Sequence, residues 1–143
     1  EYIERYFTTY PKVKEYLDSE IAFARENGYV KTVFGRRRPI PEIHASNFMR
    51  RSFSERVAMN SPIQGTAADM MKVAMNAVYE KLKRNELRSR IVLQVHDELL
   101  LEVPREELKE VREILVSSME NALTLPVPFL VEAKTGNNWE EAH

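Results

Sequence analysis

The sequence contains no cysteine, only four glycines and a single tryptophan among 143 residues. The lack of cysteine excludes a disulfide framework and a thiolate metal site, and it fits a reducing compartment. No apolar run approaches the roughly 18 residues of a membrane helix, and the N-terminus lacks the apolar core of a signal peptide. With 43% hydrophobic and 30% charged residues, the composition predicts a soluble, cytoplasmic protein without a membrane partner.

Neither sign of charge predominates overall, because 21 basic residues nearly balance 22 acidic ones and the net charge is only −1. The balance is nevertheless uneven along the chain. Between Lys31 and Arg56, seven basic residues stand against two acidic ones, whereas from Asp97 onwards eleven acidic residues stand against four basic ones. This asymmetry predicts one surface for a polyanion and another for solvent or neighbouring protein.

The N-terminal third has the pattern of a helix followed by a hairpin. Apolar spacing predicts a helix over residues 2–27, with a bend at Pro11 and a C-cap at Gly28. Strand-forming residues, a glycine and two prolines in "GYVKTVFGRRRPIPEI" then favour a short hairpin.

The middle of the sequence predicts two separate helices. The first, in "ASNFMRRSFSERVAMN", ends at Asn60 because Pro62 disfavours the helical conformation of the residue before it. The second covers residues 66–85, with Thr66 as its N-cap and an apolar stripe along one face.

The C-terminal half begins with "IVLQVHDELLLEV", residues 91–103. As one strand it would be about 43 Å long, which is too long, so a hairpin that turns at His96 and Asp97 is expected. A helix over residues 104–123 and a strand over residues 127–136 follow. The predicted fold class is therefore α+β, an antiparallel sheet with packed helices.

Three polar residues interrupt this apolar hairpin: His96, Asp97 and Glu98. Carboxylates on a rigid tip are ligands that Mg²⁺ prefers, and two-metal phosphoryl transfer needs such groups. They are also compatible with a polar turn that only solvates the tip. The residues alone leave both interpretations open.

A second polar group is a stripe at helical spacing, formed by Arg56, Asn60 and Gln64. Amide and guanidinium donors in a row suit the DNA minor groove, where acceptors recur whatever the base pair. The alternative is an exposed polar helix face.

A third group is the basic run of Arg36, Arg37 and Arg38. These guanidinium groups could bind phosphates, or they could be solvated or paired with acidic residues elsewhere.

Four stretches resemble the bacterial family A DNA-directed DNA polymerases, in collinear order and at family-like spacing. They are "GYVKTVFGRRRPIPEI", "ERVAMNSPIQGTAADMMK", "QVHDELLLEV" and "GNNWEEAH". The resemblance covers essentially the whole chain. It implies that residues 1–60 are the C-terminal part of the fingers, a helix-hairpin-helix portion, and that residues 61–143 are a portion of the palm with its antiparallel sheet.

The resemblance also implies roles for the polar tip. Asp97 would be a metal-ligand aspartate of the palm, which helps to hold two Mg²⁺ ions. Glu98 would be its acidic neighbour near the metals, and His96 would lie near the primer terminus.

For DNA binding, the resemblance implies that Arg56, Asn60 and Gln64 contact the primer-template duplex in the minor groove. Residues 36–38 fall on the fingers side of the DNA-binding surface, without individual roles.

The function implied is that of a DNA polymerase in replication and repair, which extends a primer 3′-hydroxyl with dNTPs and releases pyrophosphate. The motif with the second metal-binding aspartate and the nucleotide-binding helix are expected upstream of Glu1, in the remainder of the polymerase chain. The 143 residues alone are therefore predicted to be inactive.

An alternative is a non-catalytic module that binds duplex DNA of any sequence. A metal-dependent hydrolase is disfavoured, because His96, Asp97 and Glu98 are neighbours on one turn and cannot all face one ion.

Overall fold

The computed structural model describes residues 2–143, which form two compact units divided between Thr66 and Ala67. The helices are α1 (Tyr2–Thr9), α2 (Pro11–Asn27), α3 (Phe48–Arg84), α4 (Leu108–Glu120) and α5 (Trp139–Ala142). The strands are β1 (Tyr29–Lys31), β2 (Arg37–Pro39), β3 (Arg90–Val95) and β4 (Glu98–Glu102). Strands β1 and β2 pair antiparallel, as do β3 and β4. Helices dominate, and the predicted α+β class is confirmed.

In the first unit, the predicted N-terminal helix is divided into two. Pro11 opens α2, where its missing N–H costs nothing, so the chain starts a new helix there instead of bending one. Gly28 ends α2 as predicted, in the left-handed conformation with φ 75°, and donates its N–H to the carbonyl of Ala24. The core of this unit joins α2, the hairpin and α3; its buried members are Ala24, Val30, Ile40, Ile43 and Ala58.

Helix α3 continues through Pro62, so the predicted helix end at Asn60 was wrong. A proline inside a helix removes one backbone hydrogen bond and costs about 3 kcal/mol. Burial of the preceding turn favours the continuous helix, since Ala58 and Ser61 are almost fully enclosed. Thr66 is not an N-cap either. Its hydroxyl donates to the carbonyl of Pro62 at 2.6 Å and accepts the N–H of Val33 at 3.1 Å.

The second unit is built around the β3–β4 hairpin, which turns where the sequence predicts. A bulge between Ile91 and Leu93 interrupts the ladder. Helix α4 starts later than expected, after a 3₁₀ turn over Arg105–Glu107. The core of this unit joins the C-terminal half of α3 with α4; its buried members are Val78, Leu82, Val111 and Ile114.

Residues 127–136 form no strand in the described part of the chain, so this prediction was wrong. A strand needs the edge of another strand to pair with its backbone groups. In addition, Pro126 and Pro128 have no backbone N–H to donate to such a ladder. The segment is fixed differently, because the N–H of Val131 donates to the carboxylate of Glu120 at 3.1 Å. Within residues 2–143, no helix is both long and apolar enough to cross a membrane.

Candidate functional site

The tip of the β3–β4 hairpin is a turn of two residues, His96 and Asp97. Val95 and Glu98 pair directly on either side of it. His96 adopts a left-handed backbone conformation with φ 51°, which is uncommon for a residue with a Cβ atom. The side-chain amide of Gln94 donates to the carbonyl of His96 at 3.0 Å. A side chain of β3 therefore helps to hold the backbone of the turn.

The two carboxylates at this tip have different surroundings, although both are exposed. Among the residues that the structure describes, the Asp97 carboxylate makes no hydrogen bond or ion pair. Glu98 has a partner, because its Oε1 lies 3.3 Å from Nδ1 of His143. Asp97 is thus the carboxylate that stays open to a ligand.

A cleft of about 360 Å³ adjoins the tip and places both carboxylates on its wall. Helix α4 lines the cleft with Leu115 and Met119, and the C-terminal segment lines it with Trp139 and His143, among others. Its wall is therefore apolar towards α4 and charged towards the turn. A small hydrated cation is the kind of ligand that exposed carboxylates at such a rim can hold.

The donor set fits part of a cation site and not a complete one. Asp97 and Glu98 supply the oxygen ligands that hard cations such as Mg²⁺ prefer. Within residues 2–143, however, no group of three or more His, Asp or Glu side chains is placed to hold a metal ion.

The polar stripe of Arg56, Asn60 and Gln64 lies on the continuous helix α3, in the first unit. All three side chains are exposed, and none has a hydrogen-bond or ion-pair partner in the described part of the chain. Because Pro62 does not end the helix, the stripe keeps its spacing over about 12 Å, at 1.5 Å per residue. Its donors are free to meet an acceptor-rich surface.

The basic run lies at the exposed end of the β1–β2 hairpin. Arg36, Arg37 and Arg38 are all exposed, and the last two belong to β2. The guanidinium of Arg37 stacks 4.6 Å from the ring centroid of Tyr29 on the paired strand. This contact orients one arginine by a cation–π interaction while leaving its charge at the surface.

The base of the β3–β4 hairpin is fixed by the carboxylate of Glu107. It accepts the Ser89 hydroxyl at 2.6 Å, the Ser89 N–H at 2.9 Å and the Arg88 N–H at 3.0 Å. The hydrogen bond from the Ser89 hydroxyl, followed by the one from the Arg88 N–H, lowers the pKa of Glu107 below its ordinary value. The start of β3 is thereby tied to the start of α4.

Sequence reasoning singled out Asp97, Glu98 and His96 as candidates but not Gln94 and His143, which contact His96 and Glu98. Gln94 stands in the same quoted stretch, two residues before the turn, and a search for side chains able to bond the turn carbonyl could have found it. His143 has no local signal, since only the folded chain brings it to Glu98.

Comparisons with known proteins confirm the resemblance. The family model described as DNA polymerase family A matches residues 1–141. The chain is 58% identical over 141 residues to DNA polymerase I of Caldicellulosiruptor bescii, and 51% identical over 142 residues to that of Pseudomonas aeruginosa. These matches cover 99% of the chain but only 17% and 16% of the relatives' lengths.

A solved structure is also similar: the POL domain of Pol1 from M. smegmatis in complex with a DNA primer-template and dNTP. The TM-score is 0.96 at 46% identity, over 98% of this chain and 25% of that one. The chain belongs to DNA polymerase family A.

Proposed function

We propose that this chain is part of a template-directed DNA polymerase that extends a primer 3′-hydroxyl with dNTPs and releases pyrophosphate. The observation that supports this most directly is the open Asp97 carboxylate on a turn fixed by Gln94, in a chain of a polymerase family. The related Pol1 domain is in complex with a primer-template and dNTP, and the same partners are proposed here.

In this proposal, Asp97 and Glu98 would hold Mg²⁺ together with an aspartate from the remainder of the polymerase. When bound, two Mg²⁺ ions activate the primer 3′-hydroxyl and neutralise charge on the triphosphate. Asp97 would contribute a ligand from a turn whose backbone is held in part by the bond from Gln94 to the carbonyl of His96. His96, on the same turn, would lie beside the primer terminus.

The duplex would lie against the first unit. Arg56, Asn60 and Gln64 would donate to minor-groove acceptors, which are present at every base pair, so the contact is independent of sequence. Residues 36–38 would contact phosphates, where each charge adds to affinity and to its salt dependence. Residues 1–60 would then be part of the fingers, and residues 61–143 part of the palm.

The test is Asp97→Asn in the polymerase that contains this chain. It keeps the size of the side chain but removes the charge, and we expect primer extension to slow by about 10²-fold or more, with unchanged affinity for primer-template. Asp18→Asn is the matched control, since Asp18 is an exposed aspartate on α2 paired with Lys14. Primer extension by the Asp97 variant at the unsubstituted rate would contradict the proposal.

A second candidate, a non-catalytic duplex-binding module, is favoured by the exposed and unpaired stripe on α3. The 143 residues alone would then bind duplex DNA of arbitrary sequence, with an affinity that falls as salt increases. Arg56→Ala and Gln64→Ala would weaken this binding, and Asp97→Ala would not. If the isolated 143 residues do not bind duplex DNA at low salt, the duplex-binding proposal is wrong. If they extend a primer in the presence of Mg²⁺, the prediction that the isolated chain is inactive is wrong.

A further inference from the structure

The contact between Glu98 and His143 joins the candidate site to the end of the described chain. Nδ1 of His143 lies 3.3 Å from one oxygen of Glu98, Oε1. The other oxygen, Oε2, makes no hydrogen bond within residues 2–143. Glu98 therefore has one oxygen engaged and one still available.

His143 is held in place by other contacts of its own segment. Its N–H donates to the carbonyl of Trp139, and its carbonyl accepts from Nζ of Lys134 at 3.0 Å. Asn138 caps α5 by accepting the N–H of Glu141 at 3.0 Å. The imidazole thus approaches Glu98 from a short helix that is fixed at both ends.

The two carboxylate oxygens of Glu98 would have different roles, since Oε1 contacts His143 and Oε2 does not. A side chain that orients a carboxylate next to a cation site acts on the cation without touching it. Holding Oε1 on the side of His143 restricts the rotamers of Glu98 and leaves Oε2 as its free ligand atom. Asp97 has no such partner within residues 2–143, and the two-residue turn holds its backbone.

We propose that His143 is a positioning residue for Glu98, which it holds so that a single carboxylate oxygen faces the proposed cation site. This inference rests on the proposed function. The His143 side chain is 65% exposed and that of Glu98 47%, so solvent weakens the contact. The expected effect is therefore about two- to five-fold, the range of an exposed ion pair, and not the larger loss of a buried one.

The first measurement uses the polymerase that contains this chain. In His143→Ala, the Mg²⁺ concentration for half-maximal extension should rise by about two- to five-fold and kcat should fall in the same range. KM for dNTP and affinity for primer-template should not change, because His143 is proposed to contact neither. His143→Gln retains a side-chain N–H donor and should recover part of the loss.

Arg90→Ala is the matched control. Arg90 pairs with Glu102 at 2.7 Å at the other end of the same hairpin, and both side chains are exposed. This variant removes an exposed ion pair from the same hairpin but leaves the tip untouched. The Mg²⁺ dependence of Arg90→Ala should equal that of the unsubstituted enzyme.

The second measurement requires neither metal nor activity. Hydrogen exchange of the metal-free polymerase should show faster exchange over residues 139–143 in both His143→Ala and Glu98→Ala. The double variant should show no further increase, and in the Glu98→Ala background His143→Ala should leave the Mg²⁺ dependence unchanged. This coupling distinguishes positioning of Glu98 from a general structural role of the segment.

Failure of this inference is separable from failure of the proposed function. If Asp97→Asn abolishes extension while His143→Ala changes neither Mg²⁺ dependence nor exchange, only the positioning role is refuted. An effect of His143→Ala that persists equally in Glu98→Ala refutes it as well. If Asp97→Asn is fully active, the proposed function itself fails.

Discussion

Replacing Gly65 by alanine tests how closely the β1–β2 hairpin packs on helix α3. Alanine is the better helix former, by about 1 kcal/mol in an exposed helix. At Gly65, however, a Cβ atom would lie 2.7 Å from Cγ2 of Thr32. That separation is too short for two carbon atoms, which are in optimal contact at about 3.5–4.0 Å.

The neighbouring methyl group has little room to move. Thr32 is 8% exposed, and its hydroxyl accepts the N–H of Arg36 at 3.2 Å, which fixes its rotamer. Overpacking at such a site costs about 1–3 kcal/mol. After subtracting the gain in helix propensity of about 1 kcal/mol, we expect Gly65→Ala to destabilise the first unit by up to about 2 kcal/mol.

The assay must report on the first unit alone, because a chain of two units need not unfold in one step. Native-state hydrogen exchange at Val33 serves this purpose, since its N–H bonds to Oγ1 of Thr66, next to the substituted residue. Gly65→Ala should accelerate exchange at Val33. Exchange in the β3–β4 hairpin should remain unchanged.

Thr32→Ser is the matching second substitution, because it deletes the methyl group and keeps the hydroxyl. In that background Gly65→Ala should be neutral or stabilising, so that the two effects are strongly non-additive. The reasoning is refuted if Gly65→Ala stabilises the unsubstituted chain by the full helix propensity, or if its effect is the same with serine at position 32.

Two further predictions concern the second unit. Glu107→Gln should lower the free energy of unfolding at neutral pH, because it weakens hydrogen bonds from Ser89 and Arg88. Since the folded-state pKa of Glu107 is lowered from 4.5, its contribution is present above that value and lost as pH falls through the lowered pKa. Urea unfolding from neutral to acid pH should show the difference shrinking, and a constant difference would argue against this. Gly136→Ala should undock α5, because the new Cβ would lie 2.7 Å from the backbone nitrogen of Ala142. Faster hydrogen exchange at the backbone N–H of Ala142 would confirm the undocking of α5, and unchanged exchange would contradict it.

The elements that could be predicted from sequence are those that local patterns determine. The turn at His96 and Asp97 follows from two apolar runs, each of strand length, on either side of a polar interruption. The C-cap at Gly28 follows from the left-handed conformation that a helix end favours. The nearest neighbours along the chain decide both, so the prediction needed no knowledge of the fold.

The elements that were wrongly predicted depend on partners distant in sequence. Pro62 is a local signal to end a helix, but burial around Ala58 and Ser61 outweighs it. Residues 127–136 have strand-forming side chains, but a strand also needs an edge with which to pair. The same holds for the site, because Asp97 is visible in a motif whereas the contact of His143 with Glu98 exists only in the folded chain.

The conformation of His96 links the geometry of the tip to its proposed chemistry. A left-handed residue other than glycine costs roughly 1–2 kcal/mol, and glycine would satisfy the same turn without that cost. The bond from Gln94 to the carbonyl of His96 helps to hold the unfavourable conformation. Strain that the surroundings maintain is typical of functional sites. Turn geometry alone would favour glycine at position 96, yet the chain has a histidine there. This supports a role for the His96 side chain itself, next to the open carboxylate of Asp97.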